Sequence, residues 1–211
     1  TVKFDQVGVT SSFVNIKASG TMEAIRYDAD MDLAKLQSEL GQFVDLGGYK
    51  LAGRAVETGQ ITIEPNHITV DGAAQVTDLA ISSPNNVTAS EPKAIVSFGL
   101  EIDQEQNILA LNTVKADTSF GKVDIKDGVI PLGKEAKKPM KLGVTASVID
   151  LGRLRPFAVV FGSLGEDKVL GGIAEAQVDI TSQKDTYKVS TQNAKIRNIE
   201  YGSVGQKPFK Q

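Results

Sequence analysis

The sequence predicts an all-β, mainly antiparallel protein: an elongated twisted sheet or half-barrel groove carrying two short helices. Three observations predict it. Apolar and polar residues alternate through most of the chain, the period of a strand with one face covered and one face wet. Clusters of Gly, Pro, Asn and Asp separate the alternating runs, as turns require. Helical spacing is confined to two brief stretches, near 32–43 and 151–162.

Along the chain, residues 2–22 read as two strands broken near Thr10–Ser12. Leu33, Leu36, Leu40 and Phe43 then fall at helical spacing behind Asp30 or Asp32, either of which can cap a helix N-terminus. Ile61 and Ile63, the Glu64–Pro65–Asn66–His67 turn, and Ile68 and Val70 form a hairpin pattern, with His67 in the solvated turn. Ser82–Ser90 reads as a surface loop, and its Asn86–Val87–Thr88 triplet is too common a pattern to carry weight. Residues 94–102 and 108–116 make a second hairpin across the polar loop 103–107. A third is expected within 122–132, turning at Asp127–Gly128, a dipeptide suited to the positive φ of a tight hairpin turn. The lysine-rich stretch 134–141 reads as a solvated linker. Leu151, Leu154, Phe157, Ala158 and Phe161 mark the second helix, in which Pro156 is expected to force a kink or a fresh turn. A fourth hairpin pairs 174–180 with 186–191.

The chain also repeats itself. Asp32, Leu33, Leu36 and Phe43 recur as Asp150, Leu151, Leu154 and Phe161, and LAGRA (51–55) recurs as LGGIA (170–174). Ile61, Ile68 and Val70 recur as Ile180, Tyr187 and Val189. A shared order of short helix, Gly-containing link and strand pair suggests duplicated units at 25–82 and 143–202, with a hairpin region at 83–142 between them. Residues 1–211 are thus expected to form one elongated β-rich piece; because the chain starts at Thr1 without methionine, that piece reads as cut from a longer protein.

Composition excludes several classes of function. Apolar content of 41% and charged content of 23% are those of a folded globular chain. A net charge of −3 provides no basic field to neutralise phosphates, so no nucleic-acid partner is expected. The absence of cysteine removes disulfides, thiolate catalysis and thiolate metal ligands. The longest apolar run, 157–164, is far short of the roughly 20 residues a membrane-spanning helix needs.

Catalytic constellations are also missing from the pattern. His67 is the only histidine, so no histidine metal cluster is available, and a serine–histidine–acid triad would have to be built around that one residue. GSLG (162–165) lacks nucleophile-elbow spacing, and no glycine-rich loop ends in GK[ST]. Asp103, Glu105 and Asn107 imitate the start of a calcium loop, but Ile108 and Val114 replace its glycine and its bidentate glutamate. Convergent carboxylates around Glu101, Asp103 and Glu105 are the remaining enzyme-like option, and alternation makes them solvated surface. With no tryptophan and 6% aromatics, stacking platforms for sugars are scarce. No catalytic residues, metal or cofactor are expected, and the chain reads as non-enzymatic.

What remains is the apolar face. Alternation picks out Ile61, Ile63, Ile68, Val70, Val96, Phe98, Leu100, Leu109, Leu111, Val123 and Ile125 as candidates to line an aliphatic groove. A one-residue slip would exchange the faces of any strand, so the inward phase is left open by the sequence. A second packed sheet, the helices or a lipid chain would each serve to cover such a face.

The units DADMDLAKLQSEL and SVIDLGRLRPF are each followed by a Gly-containing link (LAGRA, LGGIA). Strands such as ITVDGAAQVTDLAI and YKVSTQNAKIRNIEY come next, ending in Asp/Asn–Leu/Ile. In this arrangement residues 1–203 resemble the AsmA-like family of bacterial envelope proteins, including its TamB-type relatives. The resemblance implies a long β-groove in the periplasm, tethered to the inner membrane by a part outside this sequence. It also implies a role in phospholipid transport between membranes and in outer-membrane homeostasis, with phospholipid or another acyl lipid as partner. The alternative is a structural or adhesive β-module of a large surface or secreted protein, with a closed, side-chain-filled core.

Overall fold

The computed structural model describes residues 2–41, 47–133, 136–183 and 186–210. Among these, twelve strands form one sheet in strict sequence order, every neighbouring pair antiparallel, and the sheet does not close on itself. The strands are β1 (Lys3–Thr10), β2 (Val14–Thr21), β3 (Ala24–Asp32), β4 (Lys50–Ile63), β5 (His67–Ser82) and β6 (Thr88–Asp103). They continue as β7 (Ile108–Thr118), β8 (Gly121–Pro131), β9 (Lys141–Asp150), β10 (Lys168–Gln183), β11 (Thr186–Ser203) and β12 (Phe209–Lys210). Helix α1 (Leu33–Leu40) joins β3 to β4, and α2 (Leu151–Val160) joins β9 to β10. The expected all-β architecture with two short helices is therefore the observed one.

Each helix begins for the same local reason. Asp32 and Asp150 sit in extended backbone, and their carboxylates accept from the third residue on, Lys35 N and Arg153 N, each at 3.1 Å. An N-cap of this kind satisfies one of the helix donors that have no partner inside the helix. The expected continuation of the first helix to Phe43 lies outside the described residues. Pro156 does not restart the second helix, which is assigned as one helix from Leu151 to Val160 with the proline inside it. The rest of its length is held by packing: α2 lies against β10, β6, β5 and β9, with Phe157 against Phe120 at 5.4 Å between ring centroids. At its far end Phe161 meets Tyr49, just before β4, and the Tyr49 hydroxyl donates to Val160 O. Both helices thus sit at one end of the sheet.

Bulges interrupt the strand register. In β4 a register shift falls between Ala52 and Arg54 against β5, with Gly53 at φ 130° and Asp78 opposite at φ 51°. In β10 the shift falls between Gly171 and Ile173 against β11, with Gly172 at φ 114° and Asn198 at φ 53°. Such inserted residues raise local twist and redirect side chains.

Three local expectations need correction. Residues 122–131 lie within a single strand, β8, and do not form a hairpin. Asp127, at φ 51°, forms a bulge against β9, and Gly128 is buried under Leu111 and Leu142, so positive φ serves a bulge there instead of a turn. His67 opens β5, paired with Asp103, and is not in the turn. Ser82–Ser90 is loop only in its middle, because β5 runs to Ser82 and β6 starts at Thr88.

The described core is thin. Its buried apolar residues are Ala29, Ala55, Ala89, Ala94, Ile108, Leu111, Ile149 and Val160, half of them alanine. No described helix is long and apolar enough to cross a membrane.

Candidate functional site

Cross-strand pairs share a face, so the register assigns every strand residue to one side of the sheet. Ile61, Val70, Leu100 and Leu111 form one row across β4–β7. Ile63, Ile68, Ile102 and Leu109 form the next row towards the turns. Phe98 aligns with Val114 and Ile125, and Val96 with Ala116 and Val123. Strand alternation joins these rows, so the register brings all eleven candidate groove residues onto a single face.

That face continues in both directions with the same chemistry. Ile125 leads on to Val144 and Val178, and Ile180 pairs with Leu142 and Val189. Towards the other edge, Ile25, Ala29 and Met31 of β3 lead to Ile16, Ala18 and Val14 of β2, and then to Val7 and Val9 of β1. The opposite face is polar, with rows such as Lys17–Asp28–Thr58 and Lys115–Asp124–Thr145–Gln177–Asn193. A concavity of 420 Å³ between Ser19, Arg26 and Gln60 belongs to this polar face. The concavities between its outward side chains are gaps between polar residues, whereas the apolar face is a broad surface.

Little of the apolar face is sealed. Of the eleven residues Leu111 is buried, Ile63 is exposed, and the other nine are half-buried. At the two edges Val9 is 57% exposed and Val189 64%. The helices cover one end only, where β6 carries the fully covered Ala89 and Glu91. Glu91 is tied there by Ser119, whose N and Oγ donate to it at 3.0 and 2.7 Å, and Arg153 in α2 donates to Ser119 O.

One polar pair interrupts the aliphatic surface, and the sequence reading missed it. Glu57 lies in the row Ala29–Glu57–Ala74–Val96, and the Tyr27 hydroxyl donates to its carboxylate. On this face of β3–β6, between Ala55 and the turns, Glu57 is the one charged side chain among the described residues. Burial, followed by the hydrogen bond to Glu57 and its charge, holds the Tyr27 phenol well above its usual range. Tyr27 fits because Gly59 is its cross-strand neighbour: a Cβ there would stand 2.7 Å from the Tyr27 oxygen. The signal was legible, since Glu57 sits in phase with Ala55, Gly59 and Ile61.

The carboxylates weighed as an enzyme-like option are each engaged by neighbouring groups, and Asp103 is buried where alternation had made it solvated surface. Glu101 holds His67 Nδ1 at 2.9 Å on the polar face. Asp103 accepts from Gln106 N at 2.8 Å to close the β6–β7 turn, and that bond leads the causes that lower its carboxyl below the usual range. Glu105 faces Lys137 at 4.0 Å. Among the described residues no three metal-ligating side chains gather. No family model, curated protein or solved structure matches the chain.

Proposed function

We propose that this chain is a non-enzymatic cell-envelope module whose apolar sheet face binds the acyl chains of phospholipid or a similar lipid, in the service of lipid transfer between membranes and outer-membrane homeostasis. One observation carries the reading: a single open sheet has one face aliphatic from β1 to β11, and among the described residues no second sheet lies over it and helices cover one end only. A monomer rarely leaves so large a contiguous apolar surface to water without a binding role. Each methylene moved from water onto that face would contribute roughly 0.8 kcal/mol. The polar face and headgroups would stay hydrated. The periplasmic setting, with a membrane anchor outside this sequence, rests on the AsmA-like resemblance alone.

The matched caps Asp32 and Asp150, and the matched bulges Gly53/Asp78 and Gly172/Asn198, support reading 25–82 and 143–202 as copies of one unit, each adding a stretch of groove.

The test is native mass spectrometry and organic extraction of the purified protein, followed by Val70→Asp. Co-purifying lipid that disappears in a folded Val70→Asp protein is the expected result, because an unpaired charge is poorly tolerated beside acyl chains. Lipid-free wild type together with global unfolding of the variant would favour a structural or adhesive module and end this reading.

A further inference from the structure

A carboxylate on an aliphatic surface is costly unless something pairs with it. Glu57 is surrounded across the strands by Ala29 and Ala74, neither of which offers a donor. Its ionised carboxylate has about four acceptor sites, and Tyr27 occupies one. Because the phenol proton is given to Glu57, the Tyr27 oxygen also presents lone pairs. Two neighbouring groups on the apolar face therefore offer acceptors and negative charge, and neither has a spare donor.

We propose that Tyr27 and Glu57 form a polar anchor within the lipid-binding face that takes the primary ammonium group of a single-chain amphiphile, while the chain lies along the aliphatic rows. This rests on the lipid-binding reading above. An ammonium supplies both missing components, positive charge and hydrogen-bond donors, in charge-assisted bonds to the carboxylate. A carboxylate or phosphate headgroup would instead meet like charge and lone pairs. The rows Ile61–Val70–Leu100 and Ile63–Ile68–Ile102 lie immediately on the turn side of the pair and provide the surface for the chain.

The test is calorimetric binding of dodecylamine and dodecanoate, both below micelle formation at neutral pH, to the purified protein and its near-isosteric variants Glu57→Gln and Tyr27→Phe. Wild type should bind the amine at least tenfold more tightly than the acid. Glu57→Gln should erase that preference mainly by weakening the amine, and Tyr27→Phe should reduce it. Asp71→Asn, which removes a charge from the polar face, should leave the ratio unchanged and so controls for the overall acidity of the protein. A wild-type ratio near one, an unchanged ratio in Glu57→Gln, or an equal effect from Asp71→Asn would overturn the anchor while leaving the lipid face standing. Failure of both amphiphiles to bind would remove the lipid reading and the anchor together.

Discussion

Gly53 stands directly against the backbone of Asp78: a Cβ on Gly53 would lie 2.9 Å from Thr77 O and 3.1 Å from Asp78 O. Gly172 repeats the relationship against Asn198, whose O would lie 2.9 Å from its Cβ. In each pair a positive-φ glycine faces an Asp or Asn in the left-handed region, which those two residues tolerate better than other non-glycines. Gly53→Ala and Gly172→Ala should each lose about 1–3 kcal/mol in denaturant unfolding. Asp78→Gly, which relieves the left-handed strain, should keep wild-type stability or exceed it. An unaffected Gly53→Ala would show that the bulge is not a fixed part of the fold.

If 25–82 and 143–202 are copies of one unit, their helix caps should matter alike. Asp32→Ala and Asp150→Ala should lower the melting temperature by similar amounts, since each removes the acceptor for one N-terminal helix donor. For Asp32 the Lys35 backbone donor leads the causes that hold the carboxyl below its usual range. Its contribution is present above the unfolded pKa and is lost as pH falls through the lower folded value. Thermal melts of both variants at neutral pH, and of Asp32→Ala down to about pH 3, where that difference should shrink, check this.

The protein has four tyrosines. In a spectrophotometric alkaline titration the Tyr27 phenol should ionise late, and Tyr27→Phe should remove that late step. The folded state holds the Tyr27 proton more tightly than the unfolded chain does. Its contribution to stability is therefore complete below about pH 10 and lost as pH rises through the raised folded value. Glu57→Gln should bring the late step earlier, because the Glu57 charge and hydrogen bond are among its causes.

Adjacent residues on opposite faces give a direct test of the register. Val96→Asp should abolish lipid co-purification, whereas Ile95→Asp, on the polar face and 46% exposed, should leave both folding and lipid content intact. Equal effects from the two variants would contradict the assignment of the apolar face as the binding surface.

Hydrogen exchange should follow distance from the edges. Residues 186–198 of β11 are exposed along their whole length, while β5 and β6 are paired on both sides. Amides of β5 and β6 should therefore be the slowest in the sheet and those of 186–198 among the fastest.

Much of this architecture is legible from the chain alone, because the side-chain period of a strand is two and needs no partner to be read. The phase of Ile61/Ile63, Val96/Phe98/Leu100 and Val123/Ile125 follows from alternation within each run, and the caps Asp32 and Asp150 from helical spacing behind them. Tertiary structure decided what alternation leaves open: the register that puts those separate runs on one face, and the lengths of strands that continue past a bulge. β5 runs through Asp78 to Ser82, and β8 through Asp127–Gly128, because a left-handed residue matched by a partner strand preserves pairing where a local reading sees a break. The Tyr27–Glu57 pair depended on the β3–β4 register, since residues 30 apart meet only when that pairing sets Tyr27 across from Gly59. Local sequence determines which side chains share a strand face, and only the pairing of distant strands determines which of those faces become one surface.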